Sequence, residues 1–160
     1  MSLTNYRVLH VDDDPAMTEL VGRCLARYGI EVTAINDPRR VLDLLLREQF
    51  HVVLIDVDMP GINGIDLLDD VKRLDGGIGV IMVTCVVSTS TVIKSRRSGA
   101  AACFFKPVAD FGPLAETIQA EFTKIDRWRS SLRELAQHQR QGVFVPELAA
   151  DPGDLQPQLN

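Results

Sequence analysis

A chain of 160 residues with 46% hydrophobic and 24% charged residues has ordinary globular composition and enough apolar side chains for one sizeable core. Its formal net charge of -5 argues against a general electrostatic footprint for nucleic acid. The first residues lack the apolar stretch of a secretory signal, no run approaches the ~20 apolar residues of a membrane helix, and Cys24, Cys85 and Cys103 have neither disulfide-framework nor zinc spacing, so a cytoplasmic protein that binds neither membrane nor nucleic acid directly is expected.

Val8-Leu9-His10-Val11 is a short apolar run that stops at Asp12-Asp13-Asp14-Pro15, which predicts a buried strand followed by a helix with Asp14 as N-cap and Pro15 at N1. Met17, Leu20, Val21, Cys24, Leu25 and Tyr28 then recur at helical spacing, and Gly29 stands where that helix would stop. Glu31 to Ile35 reads as a second strand, and Asp37-Pro38 opens a helix through Val41, Leu42, Leu45 and Leu46. Val52 to Ile55 is a third strand, followed by a loop with Pro60, Gly61 and Gly64 and a helix over roughly Ile65 to Leu74. Val80 to Val83 is a fourth strand, Thr89 to Ser98 a fourth helix, Ala102 to Phe105 a fifth strand, and a last helix begins near Pro113.

Strands that are continuous apolar runs are expected where helices cover both faces of a parallel sheet. The predicted fold is therefore α/β, a doubly wound five-stranded parallel sheet of flavodoxin-like (βα)5 type with strand order 2-1-3-4-5. In such a sheet the chemistry lies just beyond the carboxyl ends of the strands. Those positions hold Asp12 and Asp13, Asp56, Thr84 and Lys106. Any one Asp after a strand is explained by helix capping, but the set converges. Clustered carboxylates repel unless a cation is present, and an all-oxygen pocket suits a hard divalent ion such as Mg2+. With the charge offset, one carboxylate can attack phosphorus in line while the metal and a lysine neutralise the phosphoryl oxygens.

Val8 to Pro15, the run Asp56-Val57-Asp58-Met59-Pro60-Gly61 with Gly64, then Thr84 and Lys106-Pro107, resemble the receiver domains of two-component response regulators, over about Tyr6 to Lys124. The resemblance implies that Asp56 accepts a phosphoryl group from a histidine kinase or phosphotransfer protein. It implies Mg2+ held by Asp13, Asp56 and the backbone carbonyl of Asp58, with Asp12 assisting through water. Lys106 would contact the phosphoryl group, Thr84 would be the switch hydroxyl, and the Lys106-Pro107 bond is usually cis in the family. Autophosphorylation and autodephosphorylation are implied, but no enzyme activity on an external substrate.

Two departures bear on the readout. Cys103 occupies the position where the family usually has an aromatic switch residue, and Cys85 replaces the small residue after Thr84. Both cysteines read as small hydrophobes, and Phe104 reads as core, with Phe105 on the opposite face. Lys94, Arg96 and Arg97 make the fourth helix locally basic, either as a solvated face or as a docking surface.

Ile118, Phe122, Ile125, Trp128, Leu132 and Leu135 carry helical spacing through Arg140, with Gly142 as breaker. The domain reading is therefore a receiver over 1–124, an extended or added helix over 125–142 that could signal or form a homodimer, and a flexible tail or linker over 143–160. That tail is too short for a helix-turn-helix module, so output through a partner protein or a missing domain is expected. The competing reading is a haloacid-dehalogenase-type phosphatase with Asp56 as nucleophile and Asp58 as acid. It is disfavoured by Pro60 and by the placement of the motif after the third strand.

Overall fold

The computed structural model describes residues 6–142. Five strands, β1 (Val8–Val11), β2 (Val32–Ile35), β3 (Val52–Ile55), β6 (Gly79–Thr84) and β7 (Ala102–Phe105), form one parallel sheet in the order β2-β1-β3-β6-β7. Between β3 and β6 lies a two-stranded antiparallel hairpin, β4 (Asp58–Met59) with β5 (Ile62–Asn63). Counting the sheet strands alone, the order is the expected 2-1-3-4-5. Two-residue strands carry no periodicity, and the hairpin was not foreseen for that reason.

The helices are α1 (Pro15–Ala26), α2 (Val41–Arg47), α3 (Gly64–Leu74), α4 (Thr89–Arg97) and α5 (Gly112–Arg140). Asp14 caps α1 as expected, its carboxylate accepting from Ala16 N at 2.9 Å, an interaction worth about 0.5–2 kcal/mol. The helix ends at Ala26, and Gly29, at φ 72°, takes the left-handed turn into β2. The second predicted helix is divided: Pro38–Arg40 forms one 3-10 turn before α2 begins.

Every residue of β1, β3 and β6 is buried, which is why these strands read as unbroken apolar runs. Side chains alternate between two cores. Leu9, Val11, Val53, Ile55, Val80 and Met82 meet Val41 of α2 and Leu67, Leu68 and Val71 of α3. On the opposite face Val8, Val52, Leu54, Ile81 and Val83 meet Val21 and Leu25 of α1 and Leu114, Ala115 and Ile118 of α5.

The stripe expected on α1 is narrower than its periodicity suggests: Leu20 and Tyr28 are exposed, while Thr18, Val21 and Leu25 are buried. Leu46 of α2 is likewise 71% exposed. Apolar residues at the margin of a stripe satisfy the spacing without reaching the core.

The chain divides into two compact units, residues 1–125 and 126–160. In the second, the described residues are helical to Arg140, and Trp128 and Leu132 are 74% and 64% exposed. The tail expected over 143–160 lies outside the described residues. Among the described residues no helix is long and apolar enough to cross a membrane.

Candidate functional site

The sheet ladder runs one step past three strand ends. Asp12 N donates to Ile35 O at 3.3 Å, Asp56 N to Val11 O at 3.1 Å and Lys106 N to Thr84 O at 2.9 Å. These bonds fix Asp12 and Asp56 at the ends of the adjacent strands β1 and β3, and Lys106 at the end of β7, one strand beyond β6. Asp12 and Asp56 are buried and Asp13 is exposed, and each offers a carboxylate oxygen within 4.8 Å of the other two. Three converging carboxylate oxygens, open to solvent on the Asp13 side, are a donor set that could hold a hard divalent cation.

Lys106 Nζ donates to Asp12 Oδ2 at 2.5 Å and to Asp56 Oδ2 at 3.1 Å. Its side chain is only 5% exposed. Burial works against its positive charge, but the hydrogen bonds to Asp12 and Asp56 and their negative charge outweigh that, and the ammonium is held above its ordinary pKa. The cation stays charged between the two acids.

The carboxylates are oriented from behind. Asp12 Oδ1 accepts from Asp14 N at 2.9 Å, and Asn36 Nδ2 donates to Asp12 O at 2.8 Å and to Thr18 Oγ1 at 3.1 Å. Asn36 was not anticipated; its signal was its place one residue beyond β2, equivalent to that of Asp12 beyond β1. Asp58 N donates to Asp56 Oδ1 at 3.4 Å, a long contact, and the Asp58 side chain is exposed.

At the start of α3, Asn63 Oδ1 caps Ile65 N at 2.8 Å and Gly64 N donates to Val57 O at 2.8 Å. A Cβ on Gly64 would lie 1.9 Å from the carbonyl oxygen of Asp56. Only glycine lets α3 pack this close to the backbone carrying Asp56.

Thr84 is fully buried at the end of β6, and its Oγ1 accepts from Val86 N at 3.1 Å. Cys85 is exposed, so the expectation that it packs as a small hydrophobe is corrected: one residue past the strand, its side chain leaves the core. Cys103 is half-buried against the α2–α3 core, and burial raises its thiol pKa. It lines a cleft of about 270 Å³ with Val92, Ser95, Arg96 and Ala100.

Phe104 packs into the opposite core, as expected, whereas Phe105 is 38% exposed and in register with Thr84 on the adjacent strand. Lys94, Arg96 and Arg97 are all exposed in the last turn of α4, where cations also favour the helix dipole. The Lys106-Pro107 bond is cis.

His10, in β1, is fully buried, and among the described residues neither ring nitrogen has a hydrogen-bond partner. Nε2 lies 4.0 Å from Asp12 Oδ2. Burial pushes the imidazole pKa down to about 4, with Asp12 opposing and Lys106 adding to the effect. A neutral ring without a partner costs about 1–3 kcal/mol. Sequence reading passed over it because one histidine in an apolar run looks like any other strand residue.

Residues 8–119 match the family described as the response regulator receiver domain. Among curated relatives, the DNA-binding response regulator MtrA of Mycolicibacterium smegmatis is 34% identical over 107 residues, covering 67% of this chain and 46% of MtrA. The transcriptional regulatory protein ZraR of Escherichia coli is 31% identical over 119 residues, covering 74% of this chain and 27% of ZraR. The chain thus spans less than half the length of either. A CheY-like receiver domain structure from Methanospirillum hungatei superposes with a TM-score of 0.71 at 30% identity, covering 78% of this chain and 98% of that one. The motif order, the sheet topology and the family match agree: the chain belongs to the response regulator receiver domain family.

Proposed function

We propose that this chain is the phosphoacceptor of a two-component phosphorelay, taking a phosphoryl group on Asp56 from the phosphohistidine of a histidine kinase or phosphotransfer protein. The observation that carries this reading is the Lys106 ammonium shared between buried Asp12 and Asp56, beside the converging oxygens of Asp12, Asp13 and Asp56. Asp13, Asp56 and the Asp58 carbonyl would hold Mg2+, with Asp12 assisting through water. The ion, when bound, supplies charge neutralisation for the phosphoryl oxygens and the acceptor carboxylates.

An Asp56 carboxylate oxygen attacks phosphorus, forming the new P–O bond as the P–N bond to the donor imidazole breaks, and the departing imidazole takes a proton. Lys106 offsets charge on the phosphoryl oxygens. Thr84, whose Oγ1 accepts from Val86 N, donates a hydrogen bond from its hydroxyl to a phosphoryl oxygen and draws the segment before α4 with it. Lys94, Arg96 and Arg97 are the proposed docking surface for a downstream protein, and the helix over 125–142 a signalling or dimerising element beyond a receiver over 1–124.

Incubation with Mg2+ and a small phosphodonor, followed by intact-mass measurement, should add one phosphoryl group to the parent protein and none to Asp56→Asn. Modification of both proteins, or of neither, would refute the assignment of Asp56.

A further inference from the structure

His10 has no part in the chemistry just described, and its position needs a reason. Alternation along β1 sends His10 and Asp12 to the same face of the sheet. That face carries the aliphatic core of Val8 and Leu54, the latter in register with His10 on β3. Nothing in that packing calls for an imidazole, and the other three residues of the strand are aliphatic. The Asp12 carboxylate, itself bound by Lys106, lies 4.0 Å from Nε2 and so outside hydrogen-bond range.

Asp12 has two carboxylate oxygens with different partners. Oδ1 is held by the Asp14 backbone N–H at 2.9 Å, while Oδ2 is held by Lys106, which also serves Asp56. A phosphoryl group on Asp56 brings further anionic oxygens into competition for that one ammonium. When Lys106 turns toward them, Oδ2 loses its closest donor. A pivot of the carboxylate about the retained Asp14 bond then has to close only about 1 Å to bring Oδ2 into range of Nε2.

We propose that His10 is a positioning residue for Asp12: its neutral Nε2–H takes over Asp12 Oδ2 when Lys106 is drawn to the phosphoryl group, keeping the carboxylate oriented in the phosphorylated state. The inference rests on the phosphoacceptor reading of Asp56. It requires the tautomer with hydrogen on Nε2 and requires no change in ring charge. One buried donor thereby serves only the activated form, which explains why it has no partner in the form described here.

The test uses the 160-residue chain with 15N-labelled histidine rings, Mg2+ and beryllofluoride, with 19F NMR reporting bound beryllofluoride. The His10 resonance, identified by its loss in His10→Leu, should show hydrogen on Nε2, and that proton should move downfield when beryllofluoride binds. His10→Leu should fold with an equal or higher thermal midpoint yet bind beryllofluoride about three- to tenfold more weakly, the range of one hydrogen bond. His10→Gln, which retains an N–H donor, should recover part of that loss. An unmoved His10 signal with beryllofluoride bound, or a His10→Leu protein that binds as tightly as the parent, overturns the assignment. A parent protein that binds no beryllofluoride overturns the phosphoacceptor reading instead.

Discussion

Helices α3 and α4 are neighbours attached to the domain by different means. α3 buries Gly64, Leu67, Leu68 and Val71. α4 buries only Thr91 and Ser95, and its Val92 and Ile93 are exposed. The polar groups on its inner side are satisfied locally: Ser95 Oγ donates to Thr91 O at 2.8 Å, and Ser88 Oγ accepts from Thr91 N at 3.0 Å. Those bonds stabilise α4 as a helix without fastening it to the sheet. Apolar burial, at about 25 cal/mol per Å², therefore fixes the helix that abuts Asp56 and leaves the one following Thr84 loosely held. Elements that move in switching are drawn from the weakly held parts of a fold, and this contrast puts α4 there.

The contrast breaks if the two helices respond alike to mutation. Leu68→Ala should cost about 2–5 kcal/mol in urea unfolding, as expected for a fully buried leucine. Gly64→Ala should cost about 1–3 kcal/mol, and because the new Cβ meets the Asp56 carbonyl, it should also abolish phosphorylation of Asp56, read by intact mass. Native-state hydrogen exchange would sharpen the comparison: amides in the middle of α4 should open at a lower free energy than those in the middle of α3. Ile93→Ala should change stability by no more than about 0.5 kcal/mol. A loss at Ile93 comparable to that at Leu68 would mean that α4 is anchored after all.

What was readable in the sequence followed physical constraint. Asp12, Asp56 and Thr84 could be placed because each ends a strand whose complete burial leaves an uninterrupted apolar run, and Lys106 because it follows the apolar run Ala102–Phe105 of the partly buried β7. Asp14 and Gly29 marked the limits of α1 because capping and a left-handed turn restrict residue type. Legibility failed where the deciding contact is distant in sequence. Leu20 and Leu46 have core spacing but face solvent; Cys85 sits beside a buried threonine yet is exposed; Asn36 bonds to Asp12, 24 residues away. His10 and Asp12 share one face of the sheet by two-residue parity, and only the three-dimensional structure shows that the ring has no hydrogen-bond partner among the described residues.

Side-chain alternation in the sheet has a last consequence. By two-residue parity His10, Asp12, Asp56 and Lys106 belong to the side covered by α1 and α5, with Val8, Leu54 and Phe104, whereas Thr84, Phe105 and Cys103 belong with Met82 on the other. On the proposed function, the sheet is a wall one strand thick with the acceptor Asp56 and the switch hydroxyl of Thr84 on opposite sides. On the same proposal, a phosphoryl group on Asp56 would meet Thr84 past the rim at the strand ends. A phosphorylation signal would on that proposal pass around the edge of the sheet rather than through its core, leaving the packed interior of β1, β3 and β6 in place.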